Sequence, residues 1–180
     1  MIEAADPSRI LVLDDFLPDY DPELELQRPL TMPTNYRESG YLGTEASIEN
    51  LGRFHDVLAN LPRACRAMGL PALKKVGRLL YIVSDSDSPF HSNIHTDDTS
   101  VLSWGYTFSY HWQGLEGSGG TEFYSDMEGH QLRHRVEFRP NRLVAFPARY
   151  PHTGYAHPDQ PNSSRRVILA VFAELDPRRY

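Results

Sequence analysis

The feature that most constrains the fold is a succession of short strand-like runs that fills the chain after Leu73. Each run is rich in β-branched or aromatic residues, and clusters of Gly, Pro, Ser and Asp separate one run from the next, as in strands joined by turns. The runs are 76–83, 101–112, 120–124, 136–138, 143–146 and 167–172. Six or more strands that follow a helical segment predict a mainly β core with a helical buttress.

The first third of the chain has a different pattern. Residues 10–12 are typical of a short edge strand that runs into a turn at Pro18. Residues 27–43 carry scattered Pro and Gly without a sustained period, which predicts an irregular covering loop. Residues 45–68 are the best helical stretch, and Pro62 within it predicts two helices or one kinked helix.

Nothing in the sequence divides the 180 residues, since neither an internal repeat nor a linker is apparent. We therefore expect a single domain. In this organisation, residues 1–72 supply the entry strand, the covering loop and the helices, and residues 73–175 form the β core.

Composition excludes several classes of protein. The formal charge is −6, and residues 1–50 carry eleven acids against three bases, so no basic stripe is available for nucleic acid. No apolar run approaches the length of a membrane span. The single cysteine, Cys65, forms no internal disulfide, and we expect it to be a small buried apolar residue. With no signal-peptide pattern at the N-terminus, we expect a cytoplasmic protein.

His95 and Asp97 are the first candidate metal ligands. On an extended strand, side chains two residues apart leave the same face about 7 Å from each other, so an imidazole and a carboxylate can converge on one ion. A His-x-Asp triplet alone is weak evidence. A second histidine, His152, follows the apolar run 143–146. Two histidines and one carboxylate form the facial triad of non-haem Fe(II) oxygenases.

Arg166 opens the last apolar run, where its face also carries Ile168, Ala170 and Phe172. A guanidinium at the start of an apolar face requires an anionic partner, because a buried unpaired charge is costly. A dicarboxylate would meet this requirement through a bidentate pair. Arg165 is the competing choice, because a slip of one residue exchanges the two faces of a strand.

In this order, the motifs resemble those of the Fe(II)- and 2-oxoglutarate-dependent dioxygenases, especially the small prolyl-hydroxylase-like branch. The resemblance covers residues 73–175 well and the first 70 poorly. It rests on His95-Thr96-Asp97, Gly119-Gly120-Thr121-Glu122-Phe123-Tyr124, Asn141-Arg142-Leu143-Val144-Ala145-Phe146, Pro151-His152 and the strand that Arg166 opens. It implies a double-stranded β-helix, or jelly roll, whose two sheets enclose the metal.

The resemblance also implies roles for individual residues. His95, Asp97 and His152 would ligate Fe(II), and Arg166 would pair with the distal carboxylate of 2-oxoglutarate. Tyr81, in the strand before the His-x-Asp motif, matches a position where the family often directs a hydroxyl to the same carboxylate.

The implied reaction is hydroxylation of an unactivated C–H bond, in which O2 is consumed and 2-oxoglutarate becomes succinate and CO2. Because related halogenases lack the carboxylate ligand, Asp97 favours hydroxylation or desaturation over chlorination. The substrate would be a small molecule, a carrier-bound molecule or a peptide; the sequence leaves this choice and the oligomeric state open. Two alternatives remain: a cupin-like metal enzyme that does not use 2-oxoglutarate, and a non-catalytic metal-binding jelly-roll protein.

Other candidate residues have weaker patterns. His91 competes with His95 as a ligand but has no carboxylate two residues later, and Asp98 is expected to point away from Asp97. Surface or supporting roles are expected for the scattered histidines His111, His130, His134 and His157. The alternating aromatic residues at 106, 108, 110 and 112 favour core packing, with a substrate-lining role as the alternative.

Overall fold

The protein is described by a computed structural model over residues 7–27, 37–38, 41–45, 53–84, 93–97, 105–156 and 166–179. Within these residues the secondary structure is mostly β-strand. The strands are β1 (Leu11–Leu13), β2 (Arg37–Glu38), β3 (Tyr41–Glu45), β4 (Ala72–Ser84), β5 (Gly105–Gln113), β6 (Gly119–Tyr124), β7 (Leu132–Glu137), β8 (Arg142–Pro147), β9 (His152–Ala156) and β10 (Arg166–Asp176). The helices are α1 (Pro22–Gln27) and α2 (Phe54–Ala67), with a 3-10 turn at Pro7–Arg9.

The strands form two antiparallel sheets. The larger has the order β1-β8-β5-β10-β4-β3-β2, and the smaller has the order β7-β6-β9. Strand β10 is the centre of the larger sheet, where it pairs with β4 on one side and β5 on the other. Since sequence neighbours such as β5 and β6 lie in different sheets, the chain passes repeatedly between them, as in a jelly roll.

The two faces of the larger sheet bury different partners. Strand β8 shows the alternation: Leu143 and Ala145 belong to the core cluster that contains α2, whereas Val144 and Phe146 pack with Phe123 of the smaller sheet. Successive side chains of a strand leave opposite faces, so β8 contributes to both layers. The helix therefore covers one face, and the space between the sheets lies on the other.

The prediction of a mainly β fold with a helical buttress is confirmed. The layer that the alternating aromatic residues of β5 occupy is also clear. The side chains of Tyr106, Phe108, Tyr110 and Trp112 lie in the core cluster beneath α2, so they pack the core rather than the inter-sheet space. The edge strand predicted at 10–12 is also present, as β1 at the edge of the larger sheet.

The predicted start of the helical stretch is corrected, and its alternative of one helix across Pro62 is observed. Glu45 pairs with Leu80 as the last residue of β3, so the helical stretch does not begin there. Residues 46–52 lie outside the described residues. Helix α2 is a single element that continues through Pro62, because Leu61, Ala64 and Cys65 bury its apolar face on both sides of the proline.

The predicted covering loop at 27–43 is also partly wrong. Its described parts contain the end of α1 and the strands β2 and β3, which extend the larger sheet beyond β4. The rest of that segment lies outside the described residues. Among the described helices, none is long and apolar enough to cross a membrane.

Candidate metal centre

The backbone joins the two histidine segments directly. His95 and His152 exchange both backbone hydrogen bonds, each with an N···O distance of 2.9 Å, as an isolated antiparallel bridge at the start of β9. The backbone N–H of Asp97 donates to the carbonyl oxygen of Ala148 at 2.7 Å. Segment 93–97 therefore lies antiparallel to the start of β9, which places its side chains next to the side chain of His152.

The three predicted ligands converge. One donor atom from each of His95, Asp97 and His152 lies within 4.8 Å of the other two. The Nε2 atom of His152 is 3.3 Å from Oδ2 of Asp97, and the Nε2 atom of His95 is 3.6 Å from Oδ1. Two imidazoles and one carboxylate on one side of a common point match the donor set of a facial triad.

Neighbouring groups set the orientation of all three ligands. Nδ1 of His95 lies 2.9 Å from the carbonyl oxygen of Asn93, and Nδ1 of His152 lies 2.8 Å from that of Tyr150. Each carbonyl accepts a hydrogen bond from the Nδ1–H group, which leaves the Nε2 lone pair directed at the centre. The hydroxyl of Thr107 on β5 donates to Oδ2 of Asp97 at 2.8 Å.

The electrostatics keep Asp97 negatively charged. Burial opposes the charge, but His152, His95 and the hydrogen bond from Thr107 together hold the pKa of Asp97 below its usual range. Burial and the neighbouring His152 lower the pKa of His95. Although burial opposes it, Asp97 raises the pKa of His152 through its charge and hydrogen bond. The carboxylate thus favours a cation at this position.

Arg166 lies in the inter-sheet space. Its neighbours Val167 and Leu169 belong to the core cluster beneath α2, so strand alternation directs Arg166 to the opposite face. The residue is only 4% exposed, and its Nη1 atom donates to the carbonyl oxygen of Tyr155 on β9 at 2.8 Å. Burial lowers the pKa of Arg166 to about 10, so the guanidinium remains charged at neutral pH.

Glycine at position 119 makes this arrangement possible. Gly119 has φ of 145°, a region that L-residues with side chains rarely adopt. A Cβ atom there would overlap both the guanidinium of Arg166 and the carbonyl oxygen of Tyr155. The Gly-rich entry to β6 therefore provides the space that a buried arginine needs.

A stripe of polar side chains on β5 runs from the candidate metal ligands toward Arg166. Thr107, Ser109 and His111 alternate with the core aromatics, and they pair in register with Phe172, Ala170 and Ile168 of β10. The stripe begins at the Thr107 hydroxyl that holds Asp97, and it ends on the part of β5 beside Arg166. Ala170 and Ser109, which pair with each other between these two points, are both small residues.

Tyr81 does not reach this site, which corrects the prediction for its hydroxyl. Its ring packs edge-on against Phe54 of α2 at 4.6 Å and lies in the core cluster beneath the helix. Strand alternation instead gives Leu80 and Ile82 the inter-sheet face of β4, opposite Ala170 and Ile168. The physical reason is register, since a shift of one residue exchanges the faces of a strand.

Among the other candidates, His111 does not lie at the surface, although its isolated position in the sequence suggests such a location. It is 0% exposed inside the barrel, where a supporting role remains open to it. The alternation along β5 was the signal that could have found it. His91, Asp98, His157 and Arg165 lie outside the described residues.

A second group of possible ligands contains Asp126, Glu128 and His130 in the turn between β6 and β7. Its members are largely exposed, and Asp126 already accepts hydrogen bonds from Ser125 and from the backbone of His130. Such turn geometry is ordinary for surface acids, so the triad of His95, Asp97 and His152, which is less exposed, is the candidate centre.

Comparison with known proteins gives no match to a protein-family model and none to a curated protein. Solved structures do match in fold. The viral collagen prolyl hydroxylase vCPH from Paramecium Bursaria Chlorella virus-1, in its 2OG complex, has 9% identity and a TM-score of 0.62, covering 93% of this chain and 97% of that chain. A prolyl-4-hydroxylase from Pseudomonas putida has 14% identity and a TM-score of 0.59, covering 93% and 94%.

A third match has a different chemistry. SnoK, a non-heme alpha ketoglutarate dependent carbocyclase from nogalamycin biosynthesis, has 15% identity and a TM-score of 0.58, covering 77% of this chain and 67% of that chain. At these identities the likeness establishes the fold and leaves the activity to the site residues. The chain has the jelly-roll fold of the 2-oxoglutarate-dependent oxygenases.

Proposed function

We propose that the protein is an Fe(II)- and 2-oxoglutarate-dependent oxygenase of a single catalytic domain. It hydroxylates an unactivated C–H bond of a small-molecule, carrier-bound or peptide substrate, and releases succinate and CO2. The observation that carries the proposal is that both groups border the space between the sheets: the His95, Asp97 and His152 donors lie beside Thr107 of β5, and the buried guanidinium of Arg166 lies on the inner face of β10.

The residues present fit both groups. The two imidazoles and one carboxylate would hold Fe(II) from one side and leave its remaining positions open. Arg166 would bind the distal carboxylate of 2-oxoglutarate, because a buried guanidinium is stabilised by a bidentate anion. Along β5, Thr107 and His111 are four residues apart, a span of about 13 Å between backbones, which accommodates a five-carbon diacid between the side chains at either end.

When bound, Fe(II) and 2-oxoglutarate would supply the electrons that activate O2, which is the oxidant that attacks the C–H bond. The protein's contribution is positioning and exclusion of water. Thr107 fixes the Asp97 carboxylate, and the backbone carbonyls of Asn93 and Tyr150 fix the two imidazoles. Phe123 and Phe146 pack beside the His152 ring, with centroid distances of 6.0 Å and 4.8 Å, and keep that side of the centre apolar.

The substrate class remains as broad as the proposal states. The neighbours include two prolyl hydroxylases and a carbocyclase of a biosynthetic pathway, so the fold is used for both peptide and small-molecule chemistry. We also propose a cytoplasmic location. The single cysteine, Cys65, cannot form an internal disulfide, which is usual in a reducing compartment. Burial raises the pKa of its thiol to about 11, which suits an unreactive core residue.

The test is formation of succinate from 2-oxoglutarate by the full chain, with and without Fe(II). Wild-type protein should turn over 2-oxoglutarate slowly without added substrate, and Asp97→Ala should lose this turnover. Asp126→Ala is the matched control, because it removes a surface carboxylate from the other potential ligand group. Turnover that survives Asp97→Ala would contradict the proposal.

A binding experiment separates the cupin-like alternative. Titration of metal-loaded protein with 2-oxoglutarate should show saturable binding that Arg166→Gln abolishes. Metal binding without any binding of 2-oxoglutarate would overturn the proposal in favour of a metal enzyme of another class.

A further inference from the structure

His111 has a buried polar atom for which the described part of the protein supplies no partner. The backbone N–H of Arg139 donates to its Nδ1 atom at 3.2 Å, so Nδ1 acts as an acceptor and the ring proton resides on Nε2. The Nε2 atom has no hydrogen-bond partner among the residues that the structure describes. A buried donor without an acceptor is destabilising, and such an atom in a native protein calls for an explanation.

The ring is held in one tautomer and one orientation. It stacks on Phe138 with a centroid distance of 4.7 Å and an interplanar angle of 8°. Burial lowers the pKa of His111 to about 3, and the charges of Arg142 and Arg166 act in the same direction. The imidazole is therefore neutral at physiological pH, and its Nε2–H is a fixed donor rather than a second positive charge.

His111 and Arg166 lie beside each other on the same interior face. His111 pairs with Ile168, two residues after Arg166 on β10. A Cβ atom at Gly114 would contact both the Phe138 ring that stacks on His111 and the Cγ atom of Arg166. A guanidinium and a neutral N–H donor thus border one region between the sheets, remote from the metal ligands along the stripe of β5.

We propose that the Nε2–H group of His111 donates a hydrogen bond to the same terminal carboxylate that Arg166 binds, and so selects 2-oxo acids that carry a second carboxylate. The inference rests on the proposed function. A carboxylate has acceptor capacity for both groups, and a donor that adds no charge completes its solvation without opposing the arginine. The ligand would also satisfy the atom that the described residues leave without a partner.

The test measures binding rather than turnover. The full chain, loaded with Mn(II) under anaerobic conditions, is titrated by calorimetry with 2-oxoglutarate and with 2-oxopentanoate, which has the same length but no terminal carboxylate. His111→Phe keeps an aromatic ring against Phe138 and removes the donor, His111→Gln keeps an N–H donor, and His130→Phe is the exposed control. We expect His111→Phe to weaken 2-oxoglutarate binding about 10- to 100-fold, the loss of one hydrogen bond to a charged group.

Under the proposal, the affinity for 2-oxopentanoate changes less than about threefold, and His111→Gln recovers most of the affinity for 2-oxoglutarate. Equal loss for both acids would indicate a merely structural role and overturn the inference. Unchanged affinity for 2-oxoglutarate in His111→Phe would overturn it while the proposed function stands. Wild-type protein that binds no 2-oxoglutarate would overturn both.

A second measurement does not depend on the folding of a variant. In Zn(II)-loaded wild-type protein with 15N-labelled histidine, the His111 Nε2–H resonance should shift on addition of 2-oxoglutarate and hardly move on addition of 2-oxopentanoate. A resonance that is insensitive to both acids would contradict the inference.

Discussion

Gly119 lies where β6 passes closest to Arg166, and its replacement by alanine tests how tightly this part of the site is packed. The added Cβ would overlap the guanidinium of Arg166 and the carbonyl oxygen of Tyr155. Since the carbonyl belongs to the backbone of β9, either the strand pair β6–β9 or the arginine must move. Either movement would disrupt the hydrogen bond between Arg166 and the carbonyl oxygen of Tyr155, whose N···O distance is 2.8 Å.

The magnitude has two parts. Alanine at φ of 145° costs about 1–3 kcal/mol in backbone strain. Loss of a hydrogen bond from a charged group costs about 1.5–3 kcal/mol more. Gly117→Ala is the matched control: its φ is 74°, and no atom of the described residues lies within 4 Å of the place that the added methyl group would occupy, so it carries strain of about 1–2 kcal/mol without the clash.

The assay is urea unfolding of both variants, together with calorimetric titration of the metal-loaded proteins with 2-oxoglutarate. Gly119→Ala should lower the free energy of unfolding by at least about 1.5 kcal/mol more than Gly117→Ala, the value of the lost hydrogen bond. It should also weaken 2-oxoglutarate binding at least tenfold, while Gly117→Ala leaves the affinity unchanged. Equal stabilities and equal affinities of the two variants would refute the packing argument.

Three further predictions concern two ion pairs and the hydroxyl group of Thr107. Glu25→Ala should cost about 3–5 kcal/mol of stability, because it removes one partner of a buried ion pair, whereas Glu23→Ala on the exposed side of α1 should cost under about 0.5 kcal/mol; chemical unfolding compares them. Thr107→Val should weaken metal binding about 10- to 100-fold without loss of fold, as read by Mn(II) titration and circular dichroism; an unaltered metal affinity would contradict the orienting role of this hydroxyl. The hydrogen bond from Arg142 holds the pKa of Asp14 below its usual 3.8. This pair therefore stabilises the protein above pH 3.8, and its contribution is lost as the pH falls through the lower pKa of the folded state. Asp14→Asn should flatten the acid side of the profile of stability against pH, and a profile identical to that of the wild type would contradict a stabilising role of the pair.

The strands of the core could be predicted because their signal is local. The runs at 76–83, 143–146 and 167–172 are short and mostly apolar, a pattern that indicates strands buried on both faces. Each run lies within an observed strand. Strand β9 was missed as a strand because Thr153, Gly154 and the short length give no such signal. It forms by pairing with β6, a partner distant in sequence.

At the site, His95 and Asp97 could be paired from their spacing alone, since two residues apart on an extended segment share a face. For the remaining site residues, the face of the sheet from which each side chain projects depends on the register of strand pairing. Arg166 faces the inter-sheet space, but Tyr81 on the adjacent β4 faces the helix, and a shift of one position would have reversed its side.

The sequence by itself determined the class of fold and the chemical identity of the candidate metal donors, because strand patterns and the His-x-Asp spacing are properties of short segments. Only the tertiary structure decided that His152 meets His95 through a backbone bridge, and that Thr107 holds the carboxylate between them. It alone also revealed His111 as a buried donor beside Arg166. These relations arise when two sheets close over one another, and pairing between distant strands, which no local pattern encodes, sets their registers.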